Sequence, residues 1–215
     1  MRGGDTVMKK KRFLFLSIAV VAFIIQFIDI ISYTIKFSIT ETFILVMIQM
    51  IGLLGYAYGA RNTVKNQHRM LKTIHVAAFI IYLINLYYQL FFSPSLRRTV
   101  NTVNLLPFRT ILLYINAYKM HSLPLKNIFL NIVGNMMLFM PYGYFVYVLF
   151  KKFRSFIPYT LLFLLLICGV EVIQYIANVG TADIDDVILN MSGILIFYFL
   201  TLIPWVKKRI KHMEK

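Results

Sequence analysis

Six long apolar stretches dominate the chain, and each is close to the length of about 20 residues that a helix needs to cross a bilayer. They run over residues 13–35, 39–58, 73–92, 128–150, 156–177 and 187–206. Glu41 and Gln49 interrupt the second stretch, which is the weakest of the six. The apolar share of 60% exceeds the value of about 45–50% that is usual in soluble domains. The pattern predicts an all-α fold, a polytopic membrane helical bundle of about six transmembrane helices.

Basic residues predict how these helices are oriented. The net charge is +15, and most Lys and Arg residues fall in clusters at 9–12, 61–72, 151–154 and 207–211. With six spans all four clusters lie on one side, which the positive-inside rule assigns to the cytoplasm. We therefore expect a multi-pass protein of the cell membrane with both termini cytoplasmic. Nucleic-acid binding is excluded, because it would need a continuous basic surface outside the membrane.

The segment 93–127 lies on the outer side in this topology. Its stretch VNLLPFRTILLYINAY, residues 103–118, is too apolar to float free in water and too short to cross the membrane twice. We expect an interfacial or partly re-entrant element, since irregular backbone at membrane depth must be covered by protein or line a wet cavity. The predicted organisation is a three-helix region at 1–100, a core at 101–206 and a basic cytoplasmic tail at 207–215.

Three sets of polar side chains each occupy one face of a predicted helix near its outer end. These sets are Asn131 with Asn135, Glu171 with Gln174, and Asp183 with Asp186 and Asn190. An ionisable side chain inside the hydrocarbon is expensive, so such residues mark functional sites. The three faces predict one polar pocket, and Arg109 in the apolar outer segment is the expected countercharge.

Structural roles are the alternative for the same residues. Asp183 can be the N-cap of the sixth helix, with Asp185 and Asp186 next to the positive end of its dipole. The amides can hydrogen-bond between helices, and an ion pair of Arg109 with Asp186 can be purely architectural.

Small residues predict how the helices of the core pack. Gly134, Gly143 and Gly193 are expected to let helices approach closely, and Pro141 is expected to kink the fourth span. No metal site and no cofactor are predicted, because the D-I-D-D run lacks the glycine and distal Glu of a calcium loop. The single Cys168 has no partner for a cysteine-based site.

Four ordered motifs resemble the VanZ-like family of bacterial membrane proteins, named for a teicoplanin-resistance accessory protein. They are NLLPFRTI at 104–111, N-x-x-G-N-x-x-L-F-x-P-x-G at 131–143, E-x-x-Q at 171–174 and D-I-D-D-V-I-L-N-x-x-G at 183–193. The resemblance places these family positions here: Asn104, Pro107, Phe108, Arg109, Asn131, Asn135, Pro141, Gly143, Glu171, Gln174, Asp183, Asp186, Asn190 and Gly193. Members often carry an Arg before the Asp cluster, where this chain has Gly180 and Thr181.

The resemblance implies an envelope protein that reduces susceptibility to teicoplanin-type lipoglycopeptides. One hypothesis is a non-enzymatic binding protein whose outward polar pocket engages a lipid, a lipid-linked envelope precursor or the drug. Arg109 would then pair with an anionic group, and the carboxylates would accept hydrogen bonds from the ligand. The alternative is a membrane hydrolase or transferase acting on a lipid-linked substrate, with Glu171 or Asp186 as general base. Transport is less favoured, because the chain has no paired broken helices in repeated halves.

Overall fold

The computed structural model describes residues 2–31, 39–60, 66–92 and 102–212. The helices in these ranges are α1 Arg2–Ile31, α2 Ile39–Ala60, α3 Gln67–Phe91, α4 Arg109–Lys119, α5 Leu125–Leu138, α6 Met140–Leu149, α7 Phe156–Ile176, α8 Ile184–Leu202 and α9 Pro204–His212. Two short strands, β1 Val103–Asn104 and β2 Ala182–Asp183, and a 3₁₀ turn at Lys151–Phe153 complete the described elements. The predicted all-α class is confirmed.

Five stretches of the described chain are long and apolar enough to cross a membrane. They are Lys10–Ile28, Gln67–Phe91, Leu125–Leu149, Phe156–Ile176 and Ile184–Leu202. The second predicted span, the weakest in the sequence, lies in α2, Ile39–Ala60, which is apolar over Ile44–Ala60. The helical membrane bundle is therefore confirmed in its class, while the side on which each terminus lies remains a prediction.

The fourth predicted span is interrupted near its middle. Helix α5 ends at Leu138, and α6 begins two residues later with Pro141 in its first turn. Proline lacks a backbone N–H and is tolerated in the first turn of a helix, where that group would have no partner within the helix. The predicted effect of Pro141 is thus an interruption between two short helices.

The described chain divides into two compact units. The first comprises the described residues up to Asn85 together with those from Lys208 onward. In this unit α1 packs against α2, and a chain of side-chain amides links the three helices. Gln49 Nε2 donates to Gln26 Oε1 at 2.6 Å, and Gln26 Nε2 donates to Asn85 Oδ1. Such bonds satisfy side-chain amides for which the hydrocarbon of a membrane offers no hydrogen-bond partner.

The second unit comprises the described residues from Leu86 to Lys207, and α8 is its central helix. Helix α8 packs against α5, α6 and α7. Several large side chains of this unit are almost completely buried: Phe139, Phe145, Tyr159, Phe163, Ile167 and Ile194. Helices α5, α6 and α7 therefore form the core of the unit together with α8. The polar residues at one end of α7 and α8 belong to these packed helices.

Two of the three predicted close-approach glycines lie at tight contacts. A Cβ added to Gly193 would overlap the backbone of Met136 in α5, and one added to Gly143 would overlap the hydroxyl of Tyr159. The prediction for Gly134 is wrong, because no atom lies within 4 Å of the position that its Cβ would take. The face of α5 that meets α8 runs through Met136, and Gly134 lies off that contact.

The predicted outer segment is described from residue 102 onward, and the part at 93–101 lies outside the described residues. Helix α4 has no buried residue, and Leu112 and Leu113 are each more than half exposed. An exposed apolar face suits an interfacial element, so the interfacial or partly re-entrant position of this segment remains a prediction. At the other end of the core, α8 ends at Leu202 and the described part of the predicted basic tail belongs to α9.

Candidate functional site

A short parallel strand pair joins the outer segment to the loop between α7 and α8. In this pair Val103 lies opposite Ala182, and Asn104 lies opposite Asp183. The pairing connects two motifs separated by about 80 positions in the chain, so local sequence cannot specify it. It brings the N-terminus of α4 next to the N-terminus of α8.

Asp185 holds the N-terminus of α4. Its carboxylate is fully buried and accepts backbone N–H groups from Phe108 at 2.5 Å, Thr110 at 2.7 Å and Ile111 at 3.1 Å. The first N–H groups of a helix have no partner within the helix, and a carboxylate suits the positive end of its dipole. Phe108 has a left-handed φ of 64° and provides no side-chain cap itself. Asp185 therefore caps α4 from a distant segment.

Asp183 joins α8 to the outer segment. Its Oδ1 accepts the backbone N–H of Asp185 at 2.9 Å and the side-chain amide of Asn104 at 3.0 Å. Its Oδ2 accepts the hydroxyl of Thr110 at 2.6 Å. The alternative that Asp183 is the N-cap of its helix is confirmed. The same carboxylate belongs to the carboxylate cluster, which comprises Glu171, Asp183, Asp185 and Asp186. The capping role of Asp183 and its place in the site are therefore compatible.

Glu171 approaches this loop from α7. Its side chain is 7% exposed, and its Oε2 accepts the backbone N–H of Asp183 at 3.2 Å. Within the part of the chain that the structure describes, its second oxygen makes no hydrogen bond. Glu171 also lies close enough to Asp183 and Asp186 for the carboxylates to interact electrostatically. A buried carboxylate with an unused acceptor can bind a hydrogen-bond donor.

Asp186 connects α8 to α5. Its Oδ1 accepts the side-chain amide of Asn135 at 2.6 Å, and both side chains are half-buried. Asn131, one turn before Asn135, is exposed and donates to the carbonyl of Asn127 in its own helix. The structure therefore brings Asn135 to the carboxylates by direct contact, whereas Asn131 bonds to its own helix.

Gln174 and Asn190 are both buried, but their surroundings differ. The Nε2 of Gln174 donates to the carbonyl of Leu90 in α3 at 2.8 Å, which ties α7 to the end of α3. Asn190 is 5% exposed, and its Oδ1 has no hydrogen-bond partner among the residues that the structure describes. A buried amide oxygen without a partner is costly and needs an explanation.

Arg109 occupies the first position of α4 with an exposed side chain. Its expected pairing with the carboxylates is not found, because none of the described residues forms an ion pair with it within 4.0 Å. The backbone on either side of Arg109, at Phe108 and Thr110, contacts the site instead. The reason is geometric: the backbone N–H groups at the start of α4 donate to Asp185, while the Arg109 side chain is exposed.

Sequence reasoning missed two residues of this cluster, Asp185 and Thr110. Asp185 was expected only to complement the helix dipole, yet it is the most buried carboxylate described and bonds three backbone groups. Both residues lie inside the sequence motifs at 104–111 and 183–193, and this membership is the signal that could have identified them as site residues. Their pairing requires contact between segments about 75 positions apart, and spacing along one helix cannot reveal it.

The cluster can act mainly as a hydrogen-bond acceptor. Within the described chain, Glu171, Asp183 and Asp185 take part in no ion pair, and no group of three His, Cys, Asp or Glu side chains has the geometry to hold a metal ion. The donors that reach the carboxylates are amides, one hydroxyl and backbone N–H groups. Such a site favours ligands that bring their own donors.

Comparison with known proteins gives the family. A search of curated proteins and a search of solved structures each found no match. The family model described as VanZ/LLP1 matches residues 79–205. This range is more than half of the chain, and it includes β1, β2, the helices α4 to α8 and every residue of the carboxylate cluster. The chain is therefore a multi-pass membrane protein that belongs to the VanZ/LLP1 family.

Proposed function

We propose that this protein binds a lipid or cell-wall headgroup at an outward-facing polar site and thereby lowers susceptibility to teicoplanin-type lipoglycopeptides. The site comprises the residues predicted from the sequence, with Asp185 and Thr110 as its supports. Its members are Asn104, Arg109, Asn131, Asn135, Glu171, Gln174, Asp183, Asp186 and Asn190. The drug connection follows from the resemblance of the motifs to the VanZ-like family.

The observation that carries this proposal is the position of Glu171. It lies near the end of a helix that is apolar enough to span a membrane, and its side chain is almost completely buried. One of its oxygens is used by the backbone of Asp183, while the other makes no hydrogen bond in the described chain. A structural carboxylate in hydrocarbon is normally fully bonded or paired, because each unused acceptor costs free energy. An unused acceptor suits a ligand-binding role.

The surrounding polar groups have two roles: some hold the helices of the site together, and others are available to contact a ligand. Asp185 and Asp183 each accept bonds that hold α4 to α8, so they position the site. Glu171 and Asn190 have acceptor atoms that the described protein does not use. Arg109, adjacent in sequence to Thr110 and exposed, would contact the anionic part of a headgroup from the outside.

Changing Glu171 to Gln tests the proposal. Gln keeps the size and one carbonyl oxygen but replaces the other oxygen of Glu171 by an NH₂ group, which cannot accept a hydrogen bond, so we expect ligand binding to weaken without a change in packing. The protein is produced in a teicoplanin-susceptible bacterium. Cells that make the Glu171→Gln variant should be as susceptible to teicoplanin as cells that lack the protein. The measurement is growth inhibition by teicoplanin and by vancomycin, with membrane abundance quantified by immunoblot.

Glu41→Gln is the matched control, because Glu41 is an exposed carboxylate in the first turn of α2. It should protect cells as the wild-type protein does. If Glu171→Gln accumulates normally and still protects fully, the site does not carry the function. If wild-type cells also contain a new lipid product that Glu171→Gln removes, the hydrolase or transferase alternative replaces the binding role.

A further inference from the structure

Asn190 is a buried amide whose side-chain oxygen accepts no hydrogen bond from the described residues. The residue lies in the second turn of α8, with 5% of its surface exposed, and its Oδ1 has no hydrogen-bond partner in the described part of the chain. Leaving a buried acceptor unpaired costs free energy compared with a bonded one. Asn is also a poor choice for a helix that crosses hydrocarbon. The position therefore suits a polar partner that is not part of the described protein.

The face of α8 that carries Asn190 is also the face that carries the carboxylates. Asp183, Asp186 and Asn190 are spaced i, i+3 and i+7, so their side chains lie on one side of the helix. Asp186 contacts Asn135 of α5, and the backbone of Asp183 contacts Glu171 of α7. Asn190 therefore lies one turn further along α8 than Asp186, and the helical repeat places it on the same side of the helix.

Charge restricts which ligand can occupy this place. Glu171 and Asp183 lie near each other and near Asp186, and in the described chain neither Glu171 nor Asp183 forms an ion pair with Lys, Arg or His. A phosphate placed among these acidic groups would be repelled by those that are ionised, whereas a cation would be attracted to them. The unused oxygens of Glu171 and Asn190 in addition require N–H or O–H donors. A primary ammonium has a positive charge and three such donors.

We infer that the ligand of this site bears a primary ammonium group, which donates to Glu171 and to the side-chain oxygen of Asn190. This inference rests on the proposed headgroup-binding function and specifies the ligand class for the same site. The ammonium can come from a lipid headgroup or from a soluble amine. A zwitterionic aminophospholipid would also place its phosphate toward the exterior, on the same side as the exposed Arg109.

Binding of defined lipids to the purified full-length protein in detergent tests the ligand class. The probes are short-chain phosphatidylethanolamine, phosphatidylcholine and phosphatidylglycerol, together with free ethanolamine, each measured by native mass spectrometry and by thermal shift. We expect phosphatidylethanolamine to bind about tenfold more tightly than phosphatidylcholine, whose ammonium has no N–H donor. Phosphatidylglycerol should be the weakest lipid. Ethanolamine binding as tightly as phosphatidylethanolamine would identify a soluble amine as the source, and much weaker binding would identify the lipid.

The Asn190→Leu variant separates a ligand contact from a structural role. Leu has a similar size, and the described protein does not bond to the oxygen that is removed. We therefore expect the ligand-free variant to unfold at the same or a higher temperature, while its affinity for phosphatidylethanolamine falls about tenfold. A lower unfolding temperature with unchanged phosphatidylethanolamine affinity would overturn the inference and make Asn190 a structural residue.

The outcomes distinguish failure of this inference from failure of the proposed function. Tight phosphatidylglycerol binding that Glu171→Gln abolishes would refute the ammonium ligand and retain a headgroup-binding site. Equal weak binding of all four probes, with the Glu171→Gln effect on drug susceptibility intact, would refute the ammonium ligand alone. If Glu171→Gln does not change teicoplanin susceptibility, the proposed function is refuted, regardless of which lipids bind.

Discussion

Replacing Asp185 by Asn should detach the N-terminus of α4 from the core and lower the free energy of unfolding by about 2–5 kcal/mol. The two carboxylate oxygens of Asp185 together accept three backbone N–H groups, from Phe108, Thr110 and Ile111. An Asn has one oxygen, and its NH₂ group would face at least one of these donors. The donors that lose their partner face the fully buried side chain at position 185, and polar groups left unpaired there cost free energy.

Hydrogen exchange of the full-length protein in detergent measures this effect at the atoms concerned. The amides of Phe108, Thr110 and Ile111 should lose most of their protection in Asp185→Asn, and the thermal unfolding temperature should fall. Asp186→Asn is the matched control: it makes the same chemical change one residue later, where the side chain is half-buried and the described bond comes from Asn135. Equal protection of the three amides in wild type and Asp185→Asn would refute the capping role.

Gly193→Ala should be the second severe substitution, lowering the free energy of unfolding by about 1–3 kcal/mol or more. The added methyl group would overlap the backbone of Met136, so α5 and α8 would have to move apart. Backbone cannot move aside as the end of a flexible side chain can. Asn135 is the neighbour of Met136 in sequence, and its bond to Asp186 should weaken in the same variant. Thermal unfolding in detergent, followed by fluorescence, measures the loss.

Gly134→Ala provides the control for this prediction on the partner helix. A Cβ at Gly134 would meet no atom within 4 Å, so the change adds no overlap. Ala also favours a helix over Gly by roughly 0.8–1 kcal/mol, and the variant should therefore be as stable as wild type or slightly more stable. If Gly134→Ala and Gly193→Ala destabilise the protein equally, the close approach at Gly193 is not the cause.

Local patterns predicted the helices well, because membrane spans depend on length and apolar composition. The helical class, five of the predicted spans and the interruption near Pro141 all follow from residues within one stretch of chain. The capping role of Asp183 was also foreseen as an alternative, since an N-cap is recognised by its position before a helix. Each of these features is decided by neighbours within a few residues, which is the range that periodicity and propensity describe.

The details of the site depended on contacts between distant segments. Arg109 was expected to balance the carboxylates by its charge, but the backbone beside it contacts Asp185 and its side chain is exposed. Asn131 and Asn135 have the same spacing signal, yet only Asn135 bonds to Asp186. Gly134 and Gly193 both lie in family motifs, and only Gly193 lies at a helix crossing. Sequence identifies such residues without stating which partner each one meets.

The sequence by itself determined that this is a helical membrane protein and which polar residues are too costly in hydrocarbon to be incidental. Those properties depend on transfer free energies and on the repeat of a single helix, and both can be read along the chain. Only the tertiary structure decided that β1 pairs with β2 and that Asp185 caps α4. It also decided that the side-chain oxygen of Asn190 has no hydrogen-bond partner within the described ranges. These outcomes depend on how segments about 75 to 80 positions apart meet, because a buried polar group is satisfied or left unpaired by whatever the fold places beside it.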